Sequence, residues 1–333
     1  SMAGRLVARF SPLVRSGAPC ARSSHGVSAI ANRLYVIGGE AVARTPINMA
    51  VHVLPLDPSA KWHTISHGDN SPPARIAHAQ AVVGERLMVF GGRAGVQMEE
   101  AALDDLWSFD PSSETWFRVE ADGAPPCPRS FHRAAAIDHK LYIFGGCGAS
   151  GRLSDLHEFC TASQKWRQLP DAPIAGRGGA TLEASSDGRS LWVMGGFAGQ
   201  ETNDVLRYDV DSETWVAAPS EWLRPRSVCS SFSLAGKVFS FGGEVSPSDR
   251  GHEGAGGFAS DLVAIDATTG EQLPVSMVSD APGSDGPRLP PARGWGAAAA
   301  ISGSEAVLFG GLAGDDASPK RLGDAWLVSV SDE

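Results

Sequence analysis

The sequence predicts an all-β protein, a six-bladed β-propeller closed by its own N-terminal strand. Three observations predict this fold. A diglycine recurs six times after apolar runs, a turn closed by tryptophan follows the first four diglycines, and the N-terminus has the pattern of a strand while the last blade lacks one. We therefore expect residues 1–333 to form one domain with a single ring of blades.

The diglycines mark the ends of the second strands. They lie 47 to 68 residues apart, close to the period of about 50 residues that propeller repeats show. Each ends an apolar run such as Leu141-Tyr142-Ile143-Phe144, which predicts a buried strand. The six pairs are Gly38-Gly39, Gly91-Gly92, Gly145-Gly146, Gly195-Gly196, Gly242-Gly243 and Gly310-Gly311.

The tryptophans predict the hairpins between third and fourth strands, with each indole filling space between neighbouring blades. They are Trp62, Trp116, Trp166 and Trp215. Blade five keeps the turn, from Asp266 to Gly270, but has Leu273 near the tryptophan position. The predicted blades are residues 22–66, 75–120, 129–170, 177–219, 226–275 and 293–330.

The N-terminus supplies the strand that blade six lacks. Blade six stops at Trp326-Leu327-Val328-Ser329-Val330 and so provides three strands, whereas residues 5–10 alternate like a strand and precede the first blade. We expect these residues to pair with blade six. Such pairing closes the ring and removes two exposed sheet edges.

Composition excludes several classes of function. The net charge of −10 is the wrong sign for gripping nucleic acid, and no stretch approaches the roughly 18 apolar residues that span a bilayer. The five cysteines form no CxxC pair, which favours a reducing compartment, the cytoplasm or the nucleus. Five arginines precede the first acid, Glu40, but residues 5–10 have a structural role, so mitochondrial targeting is not predicted. We expect a monomer or a weak homodimer.

An arginine precedes the first strand of every blade, 17 to 19 residues before the second glycine of the same blade. Because the second strand returns to the face from which the first departs, the arginines and the residues after the diglycines should share one face. The arginines are Arg22, Arg75, Arg129, Arg177, Arg226 and Arg293. The residues after the diglycines are Glu40, Arg93, Cys147, Phe197, Glu244 and Leu312.

Two interpretations of this arginine ring stay open. Each guanidinium can tie neighbouring strands together by bonding backbone carbonyls and the aspartates that begin third strands. Alternatively, the ring makes the channel mouth positive within an acidic molecule and attracts a small anion such as a sulfate, phosphate or carboxylate. His25, His78 and His132, three residues after the first three arginines, are expected to pack with a satisfied ring nitrogen.

The loop after the fifth diglycine has the densest set of candidate metal ligands. Glu244, Asp249 and His252 offer two carboxylates and one imidazole within nine residues, a set suited to mononuclear Fe(II) with open positions for substrate. Iron there would act as a Lewis acid and orient the substrate. The alternative is a solvated polar loop, since Ser246, Pro247 and several glycines are typical of flexible segments.

The repeat pattern identifies the chain as similar to kelch-repeat proteins. Within that family it resembles the plant nitrile-specifier, epithiospecifier and thiocyanate-forming proteins over nearly its whole length. The segments that carry this resemblance are Arg22-Ser23-Ser24-His25-Gly26, Gly38-Gly39-Glu40, Arg177-Gly178-Gly179-Ala180, Gly243-Glu244-Val245 with His252, and Arg293-Gly294-Trp295.

The resemblance implies an Fe(II)-dependent, lyase-type breakdown of a sulfated thiohydroximate aglucone or another small anionic substrate. Glu244 and His252 match the ends of the family's Glu-x3-Asp-x3-His iron motif, whereas Ser248 holds the central position and Asp249 follows it. Matching motifs imply substrate contacts at Arg93, Arg129 and Trp295, and three further arginines of the ring, Arg22, Arg177 and Arg293, are expected to contact the substrate as well. The rival hypothesis is a kelch scaffold without catalysis that binds a partner protein through the same loops, with no adaptor domain in these 333 residues.

Overall fold

The structure, a computed structural model, has six β-sheets arranged as a six-bladed propeller. It describes residues 5–333 apart from 67, 69, 96–101, 220, 222–223, 280 and 284–285, so residues 1–4 of the predicted domain lie outside the described residues. The predicted all-β class and six-bladed architecture are confirmed. In the described residues no helix is long and apolar enough to cross a membrane.

Each blade is an antiparallel sheet whose first strand lies innermost, beside the channel. The first strands are Gly26–Ile30, Ala79–Val83, Arg133–Ile137, Thr181–Ala184, Ser230–Leu234 and Ala297–Ala300. The second strands are Arg33–Ile37, Arg86–Arg93, Lys140–Gly148, Ser190–Phe197, Lys237–Phe241 and Glu305–Ala313.

The outer half of each blade completes the sheet. The third strands are Val51–Pro55, Ala102–Asp110, Gly151–Cys160, Glu201–Asp209, Leu262–Asp266 and Lys320–Asp332. The fourth strands of blades one to five are His63–Ile65, Thr115–Arg118, Lys165–Leu169, Thr214–Ala217 and Gln272–Leu273.

The N-terminal strand Leu6–Pro12 is the fourth strand of blade six, as predicted. It pairs antiparallel with Lys320–Asp332, from Leu6 opposite Asp332 to Pro12 opposite Trp326. Its other edge is covered by Val275–Ser279, which pairs parallel to it after leaving blade five. The two ends of the described chain therefore lie in one sheet, and neither edge of the closing strand is left open.

Short elements extend from the blades. Two hairpins follow diglycines, Glu40–Val42 with Thr45–Pro46 in blade one and Glu244–Ser246 with Gly257–Phe258 in blade five. The remaining elements are Asp122–Gly123 beside blade three, the pair Pro282–Gly283 with Gly286–Pro287, and a 3₁₀ turn at Gly251–Glu253.

The core is divided among the interfaces between blades. Six clusters of buried apolar side chains each join two neighbouring blades, and the sixth joins blade six back to blade one. The tryptophans take part as predicted: Trp62 packs on Phe309 of blade six with ring centroids 5.8 Å apart. Trp166 packs on Phe90 of blade two at 5.4 Å. Burial at every interface makes the blades mutually dependent.

The six arginines of the ring, here called the framework arginines, bond carbonyl groups and, in five blades, an aspartate of their own blade, here called the framework carbonyls and framework aspartates. Their side chains are between 0% and 3% exposed, and each donates from Nη1 to the carbonyl of the first diglycine residue of its own blade. Five also bond an aspartate at the start of a third strand, with closest N–O distances of 2.5 to 2.9 Å: Asp105, Asp155, Asp204, Asp261 and Asp324. Arg22 lies 3.1 Å from His52 Nε2 instead.

Candidate functional site

The floor of the channel mouth is a closed ring of six backbone hydrogen bonds. The residue two positions after each framework arginine donates its N–H to the carbonyl of the equivalent residue in a neighbouring blade, at 2.7 to 3.0 Å. All six have positive φ, between 49° and 63°. They are Ser24, Ala77, Phe131, Gly179, Val228 and Trp295. The left-handed backbone turns each segment so that main-chain atoms meet at the axis.

The segments after the diglycines lie beside this ring. In every blade the residue after the arginine forms an antiparallel bridge with the residue after the diglycine, as in Ser130 with Cys147 and Ser227 with Glu244. The two sets of residues therefore share one face of the propeller, as the sequence predicts. This arrangement brings together side chains that are far apart in sequence.

A cavity of about 970 Å³ opens on that face above blades two to six. Its floor includes the side chains of Phe131, Val228 and Trp295, and its wall includes Glu244 and His252 from blade five. Phe131, Val228 and Trp295 also line a second space of about 30 Å³. His25, His78 and His132 line that smaller space too, so it lies on the channel side of the backbone ring. A cavity of this size accommodates a small organic molecule.

Arginine side chains supply positive charge to the cavity. Arg93 and Arg152 both line it, and the Arg152 guanidinium lies over the Phe197 ring, 4.6 Å from the centroid. Burial raises the pKa of the neighbouring Cys147 thiol, so this cysteine is protonated at neutral pH. The cavity thus offers cations for an anion without a thiolate nucleophile at Cys147.

Three rings form an aromatic wall. His252 stacks on Phe131 with centroids 5.1 Å apart and planes 5° apart, and the edge of Trp295 meets both rings at 5.4 and 5.5 Å. Burial, followed by the positive charges of Arg44 and Arg93, lowers the pKa of His252 to about 4. The imidazole is therefore neutral at pH 7 and acts as part of the wall.

Glu244 is the buried acid of the cavity, with 8% of its surface exposed. Its carboxylate accepts hydrogen bonds from the backbone N–H groups of Gly256 and Ser248. Burial, and then the negative charges of Glu201 and Asp316, raise the pKa of Glu244 to about 7. A carboxyl group in this state can hold or release a proton near neutral pH.

The predicted iron ligands are not assembled as a set of three. Among the described residues, no group of three or more His, Cys, Asp or Glu side chains lies close enough together to hold a metal ion. Glu244 and His252 line the cavity, but Asp249 is exposed, is not among the lining residues, and donates its backbone N–H to Asp316 Oδ2 at 3.0 Å. A mononuclear Fe(II) site needs a third protein donor, so this arrangement does not fit the predicted triad.

The predicted substrate contacts divide into two groups. Arg93 and Trp295 line the cavity. Arg22, Arg129, Arg177 and Arg293 are buried, and they bond the framework carbonyls and, except for Arg22, the framework aspartates. Because those bonds occupy their guanidinium groups, these four arginines are not carried into the proposed site.

Sequence reasoning passed over Phe131 and Arg152 as contacts. Phe131 stands in blade three at the register position that Trp295 occupies in blade six, two residues after the framework arginine. Its equivalence to Trp295 within the repeat was the signal that could have identified Phe131 from the sequence. Arg152 lies near the start of the third strand of blade three, opposite Cys147 and three residues before Asp155. Arg321 stands at the same place in blade six, opposite Leu312, so the repeat of this short segment was a signal for Arg152 as well.

Comparison with known proteins places this geometry in a family. The KLHDC2/KLHL20/DRC7 Kelch-repeats domain matches residues 13–243. The N-(sulfonatooxy)prop-2-enimidothioate sulfolyase of Thlaspi arvense is 28% identical over 324 residues, covering 88% of this chain and 88% of that protein.

Other relatives are longer proteins. Adagio protein 3 of Arabidopsis thaliana is 30% identical over 339 residues, covering 93% of this chain but 50% of that protein. The solved structure of YjhT superposes with a TM-score of 0.72 over 96% of this chain and 99% of that one, at 18% sequence identity, which supports the fold alone. The repeat pattern, the closed ring of blades and the match over residues 13–243 together show that this chain belongs to the kelch-repeat family.

Proposed function

We propose that the cavity binds a small sulfated substrate and promotes its breakdown with loss of sulfate, as a specifier-type lyase acting on a thiohydroximate aglucone would. The observation that carries the proposal is the composition of one cavity: Arg93 and Arg152 line the same cavity as the aromatic wall of Phe131, His252 and Trp295. The relative from Thlaspi arvense, whose name describes a sulfolyase, supports the substrate class.

The two kinds of lining match the two ends of such a substrate. Guanidinium groups bond sulfate oxygens through charge-assisted hydrogen bonds, and these bonds strengthen as negative charge builds up on a leaving group. The aromatic wall packs against the organic side chain and excludes water. The reaction breaks the N–O bond, and the sulfate leaves with the bonding electron pair. In the same reaction the C–S bond of the thiolate form breaks, its electron pair forms the C≡N triple bond of the nitrile, and the sulfur leaves as elemental sulfur, so that no external oxidant or reductant is needed.

Glu244 has a defined role in this scheme. In its protonated form it can donate a hydrogen bond to a substrate sulfur or nitrogen without adding a second negative charge to a cavity that receives an anion. Its ionised form would repel the same substrate. Fe(II) remains a prediction for Glu244 and His252, separate from these steps, because the third donor is not in place.

The test measures sulfate and nitrile released from a freshly generated thiohydroximate aglucone, compared with the spontaneous reaction. Replacing Arg93 or Arg152 by Ala should reduce the protein-dependent rate by about tenfold to a hundredfold each, the loss of one hydrogen bond to a charged group. Arg118→Ala is the matched control, since that side chain is 63% exposed on the outer strand of blade two. Rates equal to the spontaneous reaction in the wild-type protein would refute the activity.

The second candidate function is partner binding without catalysis. It is supported by adagio-type relatives, in which the matched region is about half of a longer protein. If this is the role, the same face should bind a partner protein, replacing Arg93 and Arg152 on that face should weaken the binding, and the wild-type protein should release no sulfate above the spontaneous rate. Equilibrium binding of an identified partner to both variants separates the two functions.

A further inference from the structure

One side chain of blade six holds the loop that forms the blade-five wall of the cavity. We call residues 247–256, between the two strands of the blade-five hairpin, the blade-five loop. Asp316 Oδ1 accepts the N–H of Ala255 at 3.0 Å, and its Oδ2 accepts the N–H of Asp249 at 3.0 Å. The Ser248 hydroxyl donates to Oδ1 as well. One carboxylate therefore bonds both ends of the loop.

The main chain of Asp316 adds a further contact. Its carbonyl accepts a hydrogen bond from Arg250 Nη1 at 2.7 Å. Arg250 and Asp249 are exposed, so this contact lies on the outer side of the loop. Asp316 thus bonds residues at four positions of a segment that is rich in glycine, and such segments have high conformational entropy when they are released.

The segment held in this way is the part of blade five that reaches over the cavity. Pro247, Ser248, Gly251 and His252 line the cavity, and His252 completes the aromatic wall by stacking on Phe131. If the loop moved outward, this ring stack and the blade-five wall would be lost together. The loop position therefore determines whether the cavity is closed on that side.

The local sequence is adapted to this contact. A Cβ atom added at Gly254 would lie 2.0 Å from Asp316 Oδ1 and 2.1 Å from Ser248 Oγ. Only glycine allows the loop backbone to approach the carboxylate so closely. A serine at position 248, where the iron motif of specifier proteins has an aspartate, donates to Asp316 whereas an ionised aspartate would be repelled.

We propose that Asp316 is a positioning residue: its carboxylate keeps the blade-five loop closed over the cavity and so limits how fast a small ligand enters and leaves. The closed loop is inferred from the contacts alone, and the effect on ligands rests on the proposed function. Ligand exchange then requires the bonds to Asp316 to break, as in lids that gate other binding sites.

Limited proteolysis tests the closed loop without any ligand. Trypsin cleavage between Arg250 and Gly251 reports loop opening, and mass spectrometry identifies fragments 1–250 and 251–333. In Asp316→Ala this cleavage should be at least about tenfold faster than in wild type, the factor for losing one hydrogen bond to a charged group. Ser248→Ala should show a smaller increase.

The matched control is Glu253→Gln, an exposed acid in the same loop whose charge loss should leave the rate unchanged. Unchanged melting temperatures confirm that the variants fold, and Asp316→Asn replaces Asp316→Ala if the latter does not. Cleavage of a folded Asp316 variant at the wild-type rate would overturn the proposal.

A second measurement separates this proposal from the proposed function. With 4-nitrophenyl sulfate as the probe, saturating ligand should slow cleavage at Arg250 in wild type, and the dissociation rate of the probe should rise at least about tenfold in Asp316→Ala. Faster cleavage in the variant without any probe binding keeps the loop contact but contradicts the anion site. Probe binding with equal dissociation rates in both proteins contradicts the gating role of Asp316.

Discussion

Blade one and blade five carry the same acid at the same place and use it differently. Glu40 and Glu244 each follow a diglycine, bridge to the serine after a framework arginine, and begin a short hairpin. Glu40 accepts hydrogen bonds from the hydroxyls of Ser23 and Ser24 and from the Arg44 backbone, and its Oε1 lies 3.5 Å from Arg321 Nη2.

Glu244 instead has two backbone donors and two acidic neighbours. The difference follows from loop length and neighbouring charge. Two residues separate the strands of the blade-one hairpin, which leaves the carboxylate covered by its own turn, whereas ten separate those of the blade-five hairpin and form a cavity wall. An equivalent position in a repeat is thus structural or available for chemistry according to its surroundings.

The largest expected difference between the two acids is in metal uptake. If the wild-type protein takes up Fe(II) in anaerobic titration without the third donor, uptake should be lost when Glu244→Gln and His252→Ala are combined, and Glu40→Gln should leave it unchanged. Asp249→Asn should also leave it unchanged, because that side chain is exposed and does not line the cavity. Loss of uptake in Asp249→Asn would show that the loop rearranges on binding iron. A wild-type protein that takes up no Fe(II) would show that the site does not bind iron.

The next difference is in stability. Glu40→Ala should lower the free energy of unfolding by about 3 kcal/mol, because it removes the acceptor for two hydroxyls and leaves the Arg321 side chain, 10% exposed, without its nearby carboxylate. Glu244→Ala should cost about 1 kcal/mol or less, since it also relieves repulsion from Glu201 and Asp316. Urea denaturation of both variants at pH 7.5 measures the difference, and equal losses would contradict the comparison.

The pH dependence of stability should identify Glu244. Its pKa in the folded protein, about 7, is above the value of 4.5 expected in the unfolded chain, so the folded state holds the extra proton between these values. Its contribution to stability is complete below pH 4.5 and is lost as the pH rises through 7. The difference in unfolding free energy between wild type and Glu244→Gln should therefore change by roughly 2 kcal/mol between pH 5 and 8. A constant difference would contradict the raised pKa.

The smallest effect comes from restoring a framework aspartate to blade one. Val51 lies opposite Ile37 as Leu262 lies opposite Phe241, so Ala50 corresponds to Asp261, the partner of Arg226. Ala50→Asp should give Arg22 a carboxylate and raise the free energy of unfolding by about 1 kcal/mol. Ser260→Asp, next to the existing pair in blade five, is the control and should give no gain. A destabilised Ala50→Asp variant would show that His52 already satisfies Arg22.

The repeat made the fold predictable and left the chemistry open. The diglycines, the tryptophans and the strand at residues 5–10 are periodic or paired features. They predicted the six blades, the interfaces between blades and the closure of the ring. The role of the arginines could not be decided from spacing, because a cationic ring at the mouth and a set of buried ties to Asp105 and its equivalents have the same sequence pattern. Only the burial of the arginine side chains, seen in the structure, distinguishes these two arrangements.

The blade-five loop was less predictable still. Its glycines allow many backbone paths, so the sequence could not show that Asp249 points away from the cavity. The contact that holds the loop joins Ser248 to Asp316, which are 68 residues apart in different blades. Contacts of that kind depend on how two loops meet, and neither loop has a repeat to set its register.

The ring of six backbone hydrogen bonds has a consequence for how such a protein can change. Because main-chain atoms hold the cavity floor together, the residues at the six positions, five with a side chain and Gly179 with none, are free to vary without loss of the hydrogen bonds between blades. The restriction that remains is conformational: positive φ suits glycine, then asparagine and aspartate, and is costly for a β-branched residue such as Val228. Amino-acid substitutions at these positions therefore change which ligand the cavity binds while the fold stays the same.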